Sequence, residues 1–451
     1  MVTLFRVHGM RAPFSQPSSA VTRRLLISAV LMAVLAASQT GYAQSALSMP
    51  DALRIAVERS RQLAAQDASI TASREMATAA GQLPDPVLKL GIDNVPADGA
   101  DRFSLGRDFM TMRRIGVMQE FTRDDKRRLK TQIFEREADR AVAEKSVAVA
   151  VLQKDTALAW LERYYLERMR AVVATQAEEA NLEIEAAEGA YRAGRGSQVD
   201  IYTARAARIA LDDRLSELDR RIRNTRTMLM RWVGAAADAP LTGDPDLTKV
   251  ALAAHSLDQE IQGHPEITLL ARQVAITESE VQLAQANKRA DWSVEVAYQE
   301  RGPAFANMFS VGVSIPLQWD QKNRQNRELA AKLALTERAK AQQEEVSRAH
   351  VAEVRSMLNE WENGRERIAR FERELVPLAT GRTQAALAAY RGAKGDLNSV
   401  LAARRNEIDV RTQTLQLEMD TARLWAQLNF LVPDGVHATP ADAGATTKDL
   451  K

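Results

Sequence analysis

The chain has 451 residues, 27% of them charged, and a formal net charge of only +2. That balance, with no Lys/Arg-rich run interleaved with aromatics, argues against a nucleic-acid partner. Cysteine is absent, which excludes disulfides, thiolate metal sites and thiol nucleophiles; with 21 Gly and 14 Pro as punctuation, the elements must be long and held by packing alone.

Arg23 and Arg24 precede an apolar run from Leu25 to Ala37, and Gly41-Tyr42-Ala43 places small residues where a signal peptidase reads, so residues 1–43 are predicted to be a secretory signal. The apolar run, about thirteen residues, falls short of the ~20 needed by a membrane anchor. Ser48 then caps a helix that carries Pro50 and Asp51 in its first turn. Two alternating segments follow, Val87 to Val95 and Arg113 to Phe121. From Arg123 to Glu188 there is neither proline nor glycine, which predicts ~66 helical residues spanning ~100 Å. Along this helix Leu158, Leu161, Tyr165, Met169 and Val172 step by three and four, the stripe of a coiled-coil seam.

The break Tyr191-Arg-Ala-Gly-Arg-Gly-Ser-Gln-Val-Asp-Ile201 leads to a further helix, and residues 234–256 read as a linker. The same order then repeats. Gly263-His-Pro-Glu266 opens a helix, Trp292 to Gln299 and Phe309 to Gln318 alternate, and Leu358, Trp361, Ile368, Phe371, Leu375 and Leu378 form a second stripe. Tyr390-Arg-Gly-Ala-Lys-Gly-Asp-Leu-Asn-Ser-Val400 makes the second break. Residues 44–233 and 257–432 are therefore two copies of one unit, followed by a tail, 433–451.

In each alternating segment one face is apolar and the other polar or small, the pattern of a membrane β-barrel strand; the competing reading is a small soluble sheet packed on the helices. Ile115, Val117, Val311, Val313 and Ile315 are expected to face lipid. Four strands cannot close a barrel, because membrane barrels begin at about eight, and an open edge in lipid leaves backbone groups unsatisfied. Several chains must pool their strands. Two copies give eight and three give twelve, the larger leaving more room for an aqueous lumen.

Acidic pairs abound, as on any long charged helix, so none is assigned acid/base work and no catalytic residue is named. His255, His264, His350 and His437 are scattered, with no His/Asp/Glu cluster at ligand spacing, so no metal site and no cofactor are expected. Met110, Met112 and Met118 lie together and suit copper(I), though methionine more often fills apolar gaps.

The signal, the duplicated helix–strand–strand–helix order, the Leu83-Pro84-Asp85-Pro86 lead into the first strand and the breaks at Tyr191 and Tyr390 resemble the TolC-like outer-membrane efflux proteins over residues 48–432. The resemblance implies a mainly α fold with a small β part. In it a homotrimer builds a twelve-stranded outer-membrane barrel and an α-helical periplasmic tunnel, a passive exit duct docked to a periplasmic adaptor and, through it, to an inner-membrane pump. It places the tunnel's tips, where the adaptor docks, at Tyr191, Gly194, Gly196, Ser197 and Asp200 and at Tyr390, Gly392, Gly395 and Asp396. The family's aspartate ring on the second tip helix has Ser399 and Ala402 at its nearest positions here, leaving Asp200, Asp396 and Ser399 as constriction candidates. Arg107 to Arg114 resembles the partners of heavy-metal resistance-nodulation-division pumps. A secreted coiled-coil scaffold or an adaptor without a pore is the competing reading, but a scaffold would have no use for four amphipathic strands, and an adaptor would carry one helical hairpin followed by several compact β-modules, a pattern this sequence does not show.

Overall fold

The computed structural model describes residues 46–250 and 263–432. The predicted signal, His255, the end of the linker, His437 and the tail lie outside the described residues.

The first unit runs α1 (Met49–Arg59), α2 (Arg61–Ala80), β1 (Val87–Asp93), β2 (Met112–Phe121), α3 (Asp124–Arg192) and α4 (Gln198–Val233). The second runs α5 (Pro265–Ala286), β3 (Trp292–Glu300), β4 (Met308–Ser314), α6 (Gln325–Arg370), α7 (Val376–Arg391) and α8 (Leu397–Asn429). The starts are those the sequence predicts. Ser48 Oγ accepts the Asp51 N–H at 3.2 Å, and His264 Nδ1 accepts the Glu266 N–H at 3.3 Å ahead of Pro265. Helix α3 has 69 residues, about 100 Å of rise.

The core lies where the long helices meet. Trp160, Leu161 and Leu166 on α3 are fully buried against Leu229 of α4, Val354 of α6 and Met419 and Leu428 of α8. Two polar side chains of this core donate to backbone carbonyls: Trp160 Nε1 to that of Leu47 (3.1 Å), and Arg163 to those of Ala237 and Ala239 (2.7 and 3.0 Å). The segment after α4 is thereby fastened onto α3, and Trp425 Nε1 reaches the Lys249 carbonyl at 2.8 Å in the same way.

The second stripe is only partly as predicted. Leu358 and Trp361 are buried, but Leu375 and Leu378 are exposed, and Ala379 and Thr383 are buried instead. A π-turn, Phe371–Leu375, separates α6 from α7 and adds one residue to the helical count, so every later side chain advances by one position. Pro377, in the first turn of α7, lacks the N–H that an uninterrupted helix would use there, which locates the irregularity.

The strands form one antiparallel sheet in the order β1-β2-β3-β4. Two strands stop earlier than their alternation suggests. β1 ends at Asp93 because Asn94 adopts φ 56° ahead of Pro96, and β4 ends at Ser314, leaving Ile315 just beyond it, because Pro316 cannot extend the ladder. No helix of the described residues is long and apolar enough to cross a membrane.

Candidate functional site

One face of the sheet is apolar from edge to edge. Leu88, Val117, Val296 and Val311 share one cross-strand row, and Leu90, Ile115, Tyr298 and Phe309 the next. All are exposed, from 39% at Val296 to 71% at Leu90. Val313 and Ile315 are exposed as well. A patch this large and continuous on a soluble protein would be a liability, so it marks an interaction surface. The opposite face carries charge: Glu295 accepts Lys89 Nζ at 2.6 Å and also pairs with the Arg114 guanidinium. Beside them Gly116 lets β2 and β3 close up, since a Cβ there would fall 2.9 Å from that of Ala297. Among the described residues, β1 and β4 each leave one long edge without a strand partner.

At the far ends of the long helices, two helix-turn-helix tips lie against each other. Ala187 of α3, Ala204 of α4 and Leu397 of α8 are buried together, with Ile201, Tyr390 and Leu401 around them. Sequence alone makes Gly196 and Gly395 candidates for the left-handed turn position, but that position is Gly194 (φ 70°) in the first tip and Ala393 (φ 56°) in the second. Gly196 and Gly395 are needed for close approach instead: a Cβ on either would come 3.1 Å from the Cβ of Ala190 or Ala389 in the turn before. The caps are mirror solutions of one problem. Ser197 caps α4 with Asp200 returning to its backbone N–H at 2.8 Å, whereas Asp396 caps α8 by accepting the Ser399 N–H at 2.6 Å. That bond from the Ser399 backbone holds the Asp396 carboxyl below its ordinary range. Because an alanine at φ 56° costs about 1 kcal/mol more than glycine, Ala393→Gly should slow local opening of the second tip about fivefold in amide exchange; faster exchange would contradict this backbone assignment.

No family model matches the sequence, and no curated protein matches it. Solved structures do. The outer-membrane channel OprN aligns over 86% of this chain and 90% of its own at 16% identity with a TM-score of 0.71. CusC aligns over 85% and 92% at 12% identity and 0.73, and the outer-membrane protein VceC of Vibrio cholerae over 85% and 95% at 19% identity and 0.69. The chain has the TolC-like outer-membrane channel fold. At these identities the likeness fixes backbone architecture, and residue roles must be argued from this chain's own chemistry.

Two polar clusters in this TolC-like fold escaped the sequence reading. Behind the tips, Arg404 of α8 is buried and donates to Glu183 and Glu179 of α3 and, at 3.0 Å, to Gln176 Oε1. Burial pushes the Glu183 carboxyl up to about 7 and lowers the Arg404 guanidinium. One turn on, buried Glu407 accepts Thr380 Oγ1 at 3.1 Å and pairs with Arg411 at 2.7 Å. These groups line a cleft of about 460 Å³ between α3, α7 and α8. The signal was available: Arg404 falls in register with buried Leu397, Val400 and Ile408, and an arginine in an apolar stripe needs partners.

The second cluster corrects the expectation of scattered histidines. His264, Glu266 and His350 bring their ligating atoms within 4.8 Å of one another, with the two imidazole rings 4.2 Å apart. No spacing rule reveals this, because the residues meet only through the packing of α5 on α6. Met112 and Met118 stand six residues apart on β2, about 20 Å at ~3.3 Å per residue, and Met110 is exposed before that strand, so the three methionines do not converge on one site.

Proposed function

We propose that the chain is the outer-membrane exit duct of a tripartite efflux system in a Gram-negative bacterium. The observation that carries this reading is the four-stranded sheet, apolar and exposed on one face, charged on the other, with two unpaired edges. In lipid those edges must find partners. Three copies would close a twelve-stranded barrel with Ile115, Val117, Val311, Val313 and Ile315 toward lipid and Glu295, Arg114 and Lys89 toward the lumen. The long helices then extend the channel into the periplasm. Conduction is passive, so no covalent chemistry is assigned to any residue. The tips dock a periplasmic adaptor, and through it an inner-membrane pump of the resistance-nodulation-division class. Tyr191, Val199 and Tyr202, all large and exposed there, suit such a contact. Asp200, Asp396 and Ser399, besides capping their helices, are proposed to line the constriction. The resemblance of Arg107 to Arg114 to heavy-metal partners favours metal cations as cargo, testable by comparing the copper, zinc and drug sensitivities of a deletion strain.

The assembly supplies the direct test. The mature chain should partition into outer membranes and sediment as a trimer once solubilised in detergent. A water-soluble monomer in detergent-free ultracentrifugation would overturn the duct and favour a periplasmic scaffold.

A further inference from the structure

His264 and His350 are among the few buried ionisable side chains outside the Arg404 cluster, and they lie far from the tips in sequence and from the sheet's charged face. Each is only 9% exposed. Their rings approach at 4.2 Å with a 42° tilt, and His350 Nε2 is buried with no hydrogen-bond partner among the described residues. A buried imidazole nitrogen without a partner forfeits its hydration for nothing in return. Glu266, exposed in the first turn of α5, contributes a carboxylate to the same group. The three line a cleft of about 270 Å³ that also receives Lys154 of α3, Glu353 of α6 and Gln427 of α8. Glu266 and Glu353 against Lys154 leave the cleft one negative charge in excess, favouring a cation.

The geometry points to a divalent transition-metal site, of the zinc class, formed by His264, His350 and Glu266, with Glu353 or water completing the coordination. Two imidazoles and one carboxylate are donors that zinc accepts, and one of them, Glu266, is free to move. Tetrahedral zinc with bonds of about 2.1 Å holds its donors about 3.4 Å apart, so the group need contract by only about 1.4 Å from its 4.8 Å limit. His264 Nδ1, which accepts the Glu266 N–H at 3.3 Å, would exchange that cap bond for the metal, and the buried His350 Nε2 would gain a partner. Metal binding would pin the start of α5 to the middle of α6, beside the C-terminal end of α8. The inference is independent of what the duct carries.

The test uses the full mature chain, free of polyhistidine tags, in detergent, dialysed against zinc chloride. One zinc per protomer is expected, with cobalt(II) giving the visible spectrum of a tetrahedral N/O site. His350→Ala should weaken zinc binding about 100-fold or more, and Glu266→Gln, at an exposed position that cannot compromise the core, about tenfold. Failure of the wild type to take up zinc would overturn the site. So would wild-type affinity in both Glu266→Gln and His350→Ala, or in Glu266→Gln alone if His350→Ala fails to fold.

Discussion

Arginine at Val311 is expected to reduce the yield of assembled barrel in the outer membrane sharply, whereas arginine one residue on, at Gly312, is expected to leave it near wild type. Val311 stands in the row Leu88–Val117–Val296–Val311 that crosses the middle of the sheet on the apolar face. A guanidinium facing lipid near the midplane costs about 2–4 kcal/mol. Gly312 pairs with Glu295 on the charged face, and a Cβ there meets nothing within 4 Å. Its arginine would enter an aqueous lumen beside a carboxylate. The pair isolates the face of the sheet, because depth and strand are nearly constant and the introduced residue is the same. Quantifying trimer in outer-membrane fractions decides it: equal yields, or a greater loss at Gly312, would reverse the inside-outside assignment.

This face was legible in the sequence because strand periodicity is local: side chains two apart share a side whatever the partner strand. Helix starts at Ser48 and Pro265 and the length of α3 were legible for the same reason, being set by caps and by the absence of breakers. The phase of the second stripe was not. A single extra residue in the π-turn before Pro377 moves burial from Leu375 and Leu378 to Ala379 and Thr383, and that choice depends on which irregularity the packed helix adopts. The tip glycines illustrate a subtler limit. Sequence correctly marks a reversal, yet whether a glycine serves φ or close approach is decided by the backbone path, which gave the left-handed position in the second tip to Ala393. The His264–Glu266–His350 group was out of reach altogether, since a contact between separate helices has no local signature.

The Arg404 cluster supplies the largest expected effect on stability. Arg404→Met should destabilise the region behind the tips by about 3–5 kcal/mol, because Glu183 would keep its burial and lose its cation, while half-exposed Glu179 loses the same partner. Adding Glu183→Leu should recover most of that loss, since an apolar pair of similar volume needs neither desolvation nor a partner. The pH dependence has a definite sign. Burial already raises Glu183 to about 7, above the value of an unfolded glutamate near 4.5, and removing the guanidinium can only raise it further. A carboxyl whose folded pKa exceeds its unfolded one contributes stability that is present at low pH and lost as pH rises through the folded value. The single variant should therefore be least stable above pH 7 and improve steadily as pH falls toward 5. Amide exchange in the segments of α3 and α8 that carry the cluster reads this locally, without requiring reversible unfolding of a membrane protein. A loss under about 1 kcal/mol, no recovery in the double variant, or a variant that weakens as pH falls would each show that Arg404 is not neutralising a buried carboxylate. The consequence for the proposed duct is mechanical. Because the cluster joins α8 to α3 about two helical turns behind the second tip, a loosened pair should let the tips fray while the sheet, at the other end of α3, is unaffected.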